Sequence, residues 1–202
     1  MKLLAITQRV ANENDYEERR DCLDQRWTMF LQSIGYLPLV LPNSRFAVEG
    51  LFKKVNPVGV LLSGGNDLVT YGGETPERDD LETYLIEYCI NNKKPMMGVC
   101  RGMQAIQHYF GVSLVSVTGH INESHRVSGD EARHSVNSYH RLAARHSVSP
   151  LKIVAQAEDG VIEAVQHETL PIMGIMWHPE RQLPTDQKDV LLFRKWFDGV
   201  KN

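Results

Sequence analysis

The chain has 202 residues, 42% hydrophobic and 23% charged, with a formal charge of -3 and a pI near 6.2. That length can bury a sizeable core as one α/β domain, and the scattered Lys and Arg residues make no basic field for DNA or RNA. No apolar run approaches the roughly 20 residues of a membrane helix.

The apolar stretch before Thr7, Gln8 and Arg9 is too short for a signal peptide. Three cysteines (Cys22, Cys89 and Cys100) without a Cys-x-x-Cys pair argue against a disulfide framework and for a reducing cytoplasm. Residues 2–7 read as a buried strand. Residues 15–35 follow as a helix, because Cys22, Leu23, Trp27, Phe30, Leu31 and Ile34 recur at helical spacing and Gly35 closes it. A strand over 36–42, part of a helix over 50–56 and a buried strand over 57–65 running into a glycine turn come next. A helix over 79–94, a strand over 95–99 and a helix over 102–111 complete the first half. Such alternation predicts a mostly parallel sheet with helices on both faces.

The second half changes character. Residues 113–119 read as a strand, and 119–149 as a polar stretch holding five of the eight histidines. Residues 152–167 form a hairpin turning at Asp159-Gly160. A strand over 171–178 precedes an amphipathic helix over 185–197, capped by Thr185 or Asp186. No linker divides the chain, so residues 1–202 are expected to form one domain.

Gly98-x-Cys100-x-Gly102, between a strand and a helix, has the form of a nucleophile elbow. The tight turn holds the side chain out above the sheet, the next backbone N–H faces a developing oxyanion, and the helix dipole favours a thiolate. A small buried cysteine fits the same pattern, and both readings stay open on the pattern alone. Cys22 and Cys89 fall at core spacings inside predicted helices and read as packing. A cysteine nucleophile needs a base held by a third group. His178 leaves an apolar strand with Glu180 two residues on, where the carboxylate can hold the imidazole. His108 and His167 have no such arrangement. "SGGND" (63–67) lacks the Lys-Ser/Thr or third glycine of a phosphate loop, and Asp67 reads as a turn residue. His120, His125, His134, His140 and His146 lie in a loop-rich segment without a cysteine pair, so no metal site is expected.

Gly-x-Cys-x-Gly-x-Gln at an elbow, with His-Pro-Glu on a late strand, resembles the class I glutamine amidotransferase fold and its Cys-His-Glu triad. "LLSGGNDL" (61–68), "GVCRGMQ" (98–104), "VNSYH" (136–140), "EDGVIEA" (158–164) and "MWHPER" (176–181) resemble the stand-alone γ-glutamyl hydrolase branch, of peptidase C26 type. The resemblance implies Cys100 as nucleophile, His178 as general base and acid, and Glu180 as the orienting carboxylate. It implies an oxyanion hole from backbone N–H groups of Gly65 and Arg101. Gln104 and the backbone around Asn137 and Ser138 would hold the glutamyl group, and His140 belongs to the same motif. It implies no cofactor, no metal, and a small-molecule γ-glutamyl substrate.

Within that branch, "VNSYH" continues with Arg141 and Leu142 in place of His and Gln, a departure from the γ-glutamyl-γ-aminobutyrate hydrolases on the amine side. "ITQR" (6–9), Tyr16, Arg20, Cys22 and Trp27, with "SGGNDL" and "ERDDLE" (77–82), look most like the γ-glutamyl-CDP-amidate hydrolases, which supply phosphoramidate for surface polysaccharide. A pyrophosphate on the leaving group calls for cations, and Arg9, Arg20, Arg78 and Arg101 are the candidates, each equally readable as a surface ion pair. The rival readings are a γ-glutamyl-γ-aminobutyrate hydrolase and a glutaminase subunit feeding ammonia to a partner synthetase. A homodimer is compatible with either, and nothing in the sequence sets a quaternary state.

Overall fold

A computed structural model describes residues 1–13, 15, 17–129 and 135–199. Its strands are β1 (Lys2–Ile6), β2 (Arg9–Asn12), β3 (Arg19–Cys22), β4 (Tyr36–Val40), β5 (Val60–Leu62), β6 (Met96–Val99) and β7 (Val115–Ser116). They continue with β8 (Ile121–His125), β9 (Val127–Ser128), β10 (Val136–Tyr139), β11 (Leu142–Ala143), β12 (Leu151–Ala157), β13 (Ile162–His167) and β14 (Ile172–Ile175). The helices are α1 (Gln25–Ser33), α2 (Arg45–Phe52), α3 (Pro76–Asn92), α4 (Arg101–Tyr109) and α5 (Gln187–Phe197).

An eight-stranded sheet in the order β4-β1-β5-β6-β14-β13-β12-β9 organises the molecule. The first five strands are parallel, and β13, β12 and β9 extend them antiparallel. Every residue of β5, β6 and β14 is buried, which explains their unbroken apolar runs: both faces are covered. Along β1, Ala5 packs with Val48, Leu81, Leu85, Met103 and Ile106 of α2, α3 and α4, while Leu4 and Ile6 pack with α1 and α5. Each Leu or Phe buried in these two layers contributes about 1.5–3 kcal/mol. No helix among the described residues is long and apolar enough to cross a membrane.

The predicted helix over 15–35 is corrected by the structure. Helix α1 starts only at Gln25, where the Asp24 side chain accepts from Arg26 N, and Arg19–Cys22 instead pairs with β2 as an antiparallel ribbon. The cause is tertiary. Asp21 accepts from Asn43 N at 2.9 Å and from Asn43 Nδ2 at 2.7 Å, and Val10 N donates to Asn66 Oδ1 at 2.8 Å. These anchors tie the ribbon to the loops after β4 and β5, and no local periodicity reports them. Cys22 therefore ends a strand, half-buried, rather than packing inside a helix. The strand expected over 113–119 shrinks to β7, which pairs only with β11. The hairpin at Asp159-Gly160 and the Asp186 cap of α5 are as expected.

Candidate active site

Cys100 joins the central strand β6 to α4, with φ 53° and ψ -108°, a conformation that non-glycine residues adopt only under constraint. Its N–H donates to Ile175 O at 2.8 Å and its carbonyl accepts from Gln104 N at 3.1 Å, so the corner is pinned from both sides. The flanking glycines are there for close approach. A Cβ on Gly98 would lie 2.5 Å from Gly102 O, and one on Gly102 would lie 2.2 Å from Leu62 O. The first turn of α4 thus rests directly on β5 and β6.

Beneath the corner is a buried charge network. Arg101 pairs with Glu82 and Asp79, and Arg78 Nε donates to Glu82 Oε1 at 2.9 Å and Nη2 to Ser63 O at 2.7 Å. Thr7 Oγ1 donates to the same Glu82 oxygen at 3.0 Å. Arg78 and Arg101 are therefore framework groups under the Ser63-Gly64-Gly65 turn, not cations offered to a leaving group. The Arg101 N–H, by contrast, is among the first N–H groups of α4, which a helix leaves unbonded.

His178 follows β14, and its main chain is gripped by one side chain. Asn137 Oδ1 accepts from His178 N at 2.7 Å, and Asn137 Nδ2 donates to His178 O at 2.8 Å. Glu180, in the single helical turn Pro179–Arg181, accepts from His178 Nδ1 at 2.7 Å. His178 Nε2 has no hydrogen-bond partner among the described residues and faces the elbow. A Cβ on Gly64 would lie 2.8 Å from His178 Cε1, 3.6 Å from Nε2 and 3.5 Å from Cys100 Cβ, so imidazole and thiol meet over a glycine. Burial disfavours the imidazolium, but negative charge on Cys100 and Glu180 outweighs it and raises the His178 pKa to about 9. The arrangement can hold a thiolate beside a proton donor.

A cavity opens on each side. One, of about 290 Å³, is lined by Arg9, Cys22, Asp24, Trp27, His178 and Arg181; the other, of about 300 Å³, by Cys100, Gln104, Ile121, Tyr139, His140 and Arg141. Gly65 borders both, and the Arg9 stem lies across it, 3.0 Å from where its Cβ would stand. Gln104 donates to Leu142 O at 2.8 Å. Asn137 holds His178 rather than facing a cavity with its side chain, and Ser138 Oγ is turned to His120 O at 2.8 Å. Arg20 is not brought to either cavity; exposed on β3, it pairs with Glu13 and Glu18, each at 2.6 Å. Arg181 occupies the place expected for it, its guanidinium 4.5 Å from the Tyr139 ring centre. Its one sequence signal was adjacency to Glu180. Within the histidine-rich segment, His120 and His140 are buried against Glu163. His146 is exposed, and His134 and Tyr16 lie outside the described residues.

Comparison with known proteins follows the same lines. The gamma-glutamyl-CDP-amidate hydrolase of Campylobacter jejuni is 33% identical over 203 aligned positions, covering 98% of each chain. A glutamine-hydrolyzing GMP synthase subunit of Pyrococcus abyssi is 30% identical over 171 positions, covering 80% of this chain and 85% of that one. A solved structure of a putative GMP synthase subunit from Thermoplasma acidophilum shares the fold with a TM-score of 0.72 at 18% identity, over 98% of this chain and 94% of that one. The peptidase C26 family model matches residues 2–180, from the first strand through Glu180. The chain belongs to the peptidase C26 family and is a hydrolase built on a glutamine amidotransferase fold.

Proposed function

We propose that the protein hydrolyses a γ-glutamyl amide through a thioester on Cys100, and that its substrate is γ-glutamyl-CDP-amidate. The thiolate attacks the γ-carbonyl carbon, a C–S bond forms, and the oxyanion takes hydrogen bonds from the Gly65 and Arg101 N–H groups. Protonated at Nε2, His178 gives its proton to the departing nitrogen as the C–N bond breaks. Cytidine diphosphoramidate leaves with an NH₂ group. Water, deprotonated by His178, then cleaves the thioester to glutamate and restores the thiolate. Glu180 holds the Nδ1–H tautomer throughout.

The observation that carries this reading is the contact of His178 with both Glu180 and the elbow. The substrate rests on the full-length likeness to the Campylobacter enzyme and on a cavity that places Arg9 and Arg181 beside His178, where a pyrophosphate needs cations. The opposite cavity, lined by Gln104, Tyr139 and His140, receives the glutamyl group. The whole chain acts as one cytoplasmic domain, in the synthesis of phosphoramidate for surface polysaccharide. Likeness to an anthranilate synthase component 2 of Saccharolobus solfataricus, 29% identical over 162 positions, and to the Pyrococcus GMP synthase subunit keeps a second reading: a glutaminase working with a synthetase.

Assay against γ-glutamyl-CDP-amidate, γ-glutamyl-γ-aminobutyrate and glutamine separates these. The first should be cleaved with the highest kcat/KM. Preferred cleavage of γ-glutamyl-γ-aminobutyrate would overturn the nucleotide assignment, and glutamine turnover only with a partner would install the synthetase-linked reading.

A further inference from the structure

Behind the Cys100 cavity, three imidazoles converge on one buried carboxylate. Glu163, on β13, has 0% of its surface exposed. Its Oε1 lies 3.1 Å from His125 Nε2, 3.4 Å from His120 Nδ1 and 3.4 Å from His140 Nε2. None of these contacts is aligned as a hydrogen bond. Both Glu163 oxygens and both ring nitrogens of His125 and His140 have no hydrogen-bond partner among the described residues. His120 Nδ1 also lies 3.5 Å from Ser138 Oγ, whose own proton goes to His120 O.

Lone pairs this close that do not point at one another are arranged as around a common centre. A tetrahedral zinc ion with bonds of about 2.0–2.1 Å holds its ligand atoms about 3.3 Å apart along each edge, and the three separations at Glu163 Oε1 match that edge. Ligand atoms of His120, His125 and Glu163 all lie within 4.8 Å of one another. An outer carboxylate is present too: His120 Nε2 is 3.3 Å from Asp159 Oδ2, which fixes the tautomer leaving Nδ1 its lone pair. We propose that His120, His125 and Glu163 bind a divalent transition metal, zinc by ligand type. A water would complete the tetrahedron on these three protein ligands. The ion fastens β8 to β13, and β10, paired with β8, presents Asn137 to His178. Hydrolysis itself does not pass through it.

The test uses the full chain carrying Cys100→Ser, so that a thiolate beside His178 cannot bind metal. After chelator treatment the protein is titrated with Zn²⁺ against a chromophoric competitor, and with Co²⁺ for its absorption. One equivalent bound with Kd on the order of 1 µM or tighter, a tetrahedral Co²⁺ spectrum and a thermal midpoint raised by Zn²⁺ are expected. His125→Ala, at a partly exposed position, should weaken binding at least about 100-fold and abolish the thermal response. Asp159→Asn should weaken it about 10-fold or more, and His146→Ala should change nothing. Absence of a stoichiometric site of that affinity, or binding undiminished in both His125→Ala and Glu163→Gln, overturns the proposal.

Discussion

The elbow and the segment facing it are built by different means. Around Cys100 the chain is held by backbone contact: glycines let α4 rest on β5 and β6, and Glu82 with two arginines fills the space below. In the facing segment the described residues form short two-stranded ribbons, β10 with β8 and β11 with β7, while β9 joins the edge of the large sheet. Its positions depend on polar side chains: the Asn137 grip on His178, the Gln104 bond to Leu142, and the imidazoles at Glu163. One region admits no added volume; the other admits changes of graded consequence. The elbow carries the reacting atom, and the facing segment aims the groups that act on it.

The sharpest way to break this division is at the reacting atom. Cys100→Ala should lower kcat/KM by a factor on the order of 10⁴ or more, His178→Ala nearly as much, and Glu180→Gln less, because the members act as a unit. Thermal midpoints should confirm that each variant folds. A Cys100→Ala protein with near-normal turnover would end the covalent mechanism.

Next comes added volume. Gly64→Ala places a methyl 2.8 Å from His178 Cε1, and displacing the imidazole should reduce kcat by roughly 100-fold in a folded protein. Unchanged kcat would mean that this contact is slack. On the facing side, Asn137→Ala should lower kcat about 10-fold with KM nearly constant, since Asn137 acts through His178. A change confined to KM would instead make it a substrate contact.

Two of the three arginines of the front ribbon, Arg9 and Arg20, sharpen the comparison further. Arg9→Ala should raise KM for γ-glutamyl-CDP-amidate by about 10 to 100-fold, as for loss of a charge-assisted hydrogen bond of about 1.5–3 kcal/mol. Turnover of γ-glutamyl-p-nitroanilide should barely change. Arg20→Ala should leave both alone, because Arg20 is paired away from the cavity. Equal effects at the two positions would contradict the placement.

The smallest effect is in pH. His178 is raised from its ordinary 6.5 to about 9, so the proton needed by the leaving nitrogen is present at neutral pH and lost above about 9. kcat/KM should fall on an alkaline limb near that value. The same shift stabilises the fold fully below pH 6.5, and the contribution disappears as pH rises toward 9. In Cys100→Ser the sulfur is gone, and NMR titration should find the His178 pKa lower. An unmoved value would remove Cys100 as the cause.

By itself the sequence determined the alternation of strands and helices, the elbow and the His178-Glu180 pair. Each is local: buried parallel strands need unbroken apolar runs, a sharp strand-to-helix corner needs glycines, and two residues within one turn meet whatever surrounds them. Only the tertiary structure decided the rest. Helical spacing from Cys22 to Trp27 did not reveal that Asp21 is claimed by Asn43, which draws residues 19–22 into a ribbon and carries Arg20 away from the cavity. Arg78 and Arg101 read as leaving-group cations or surface ion pairs until Glu82, on the same helix as Arg78, paired with both in the interior. His120 and His125 read as part of a loop-rich polar stretch, and His140 and Glu163 as members of separate motifs. They meet because the β8-β10 ribbon packs its imidazoles against Glu163 of β13, and encounters between distant strands have no period in the chain.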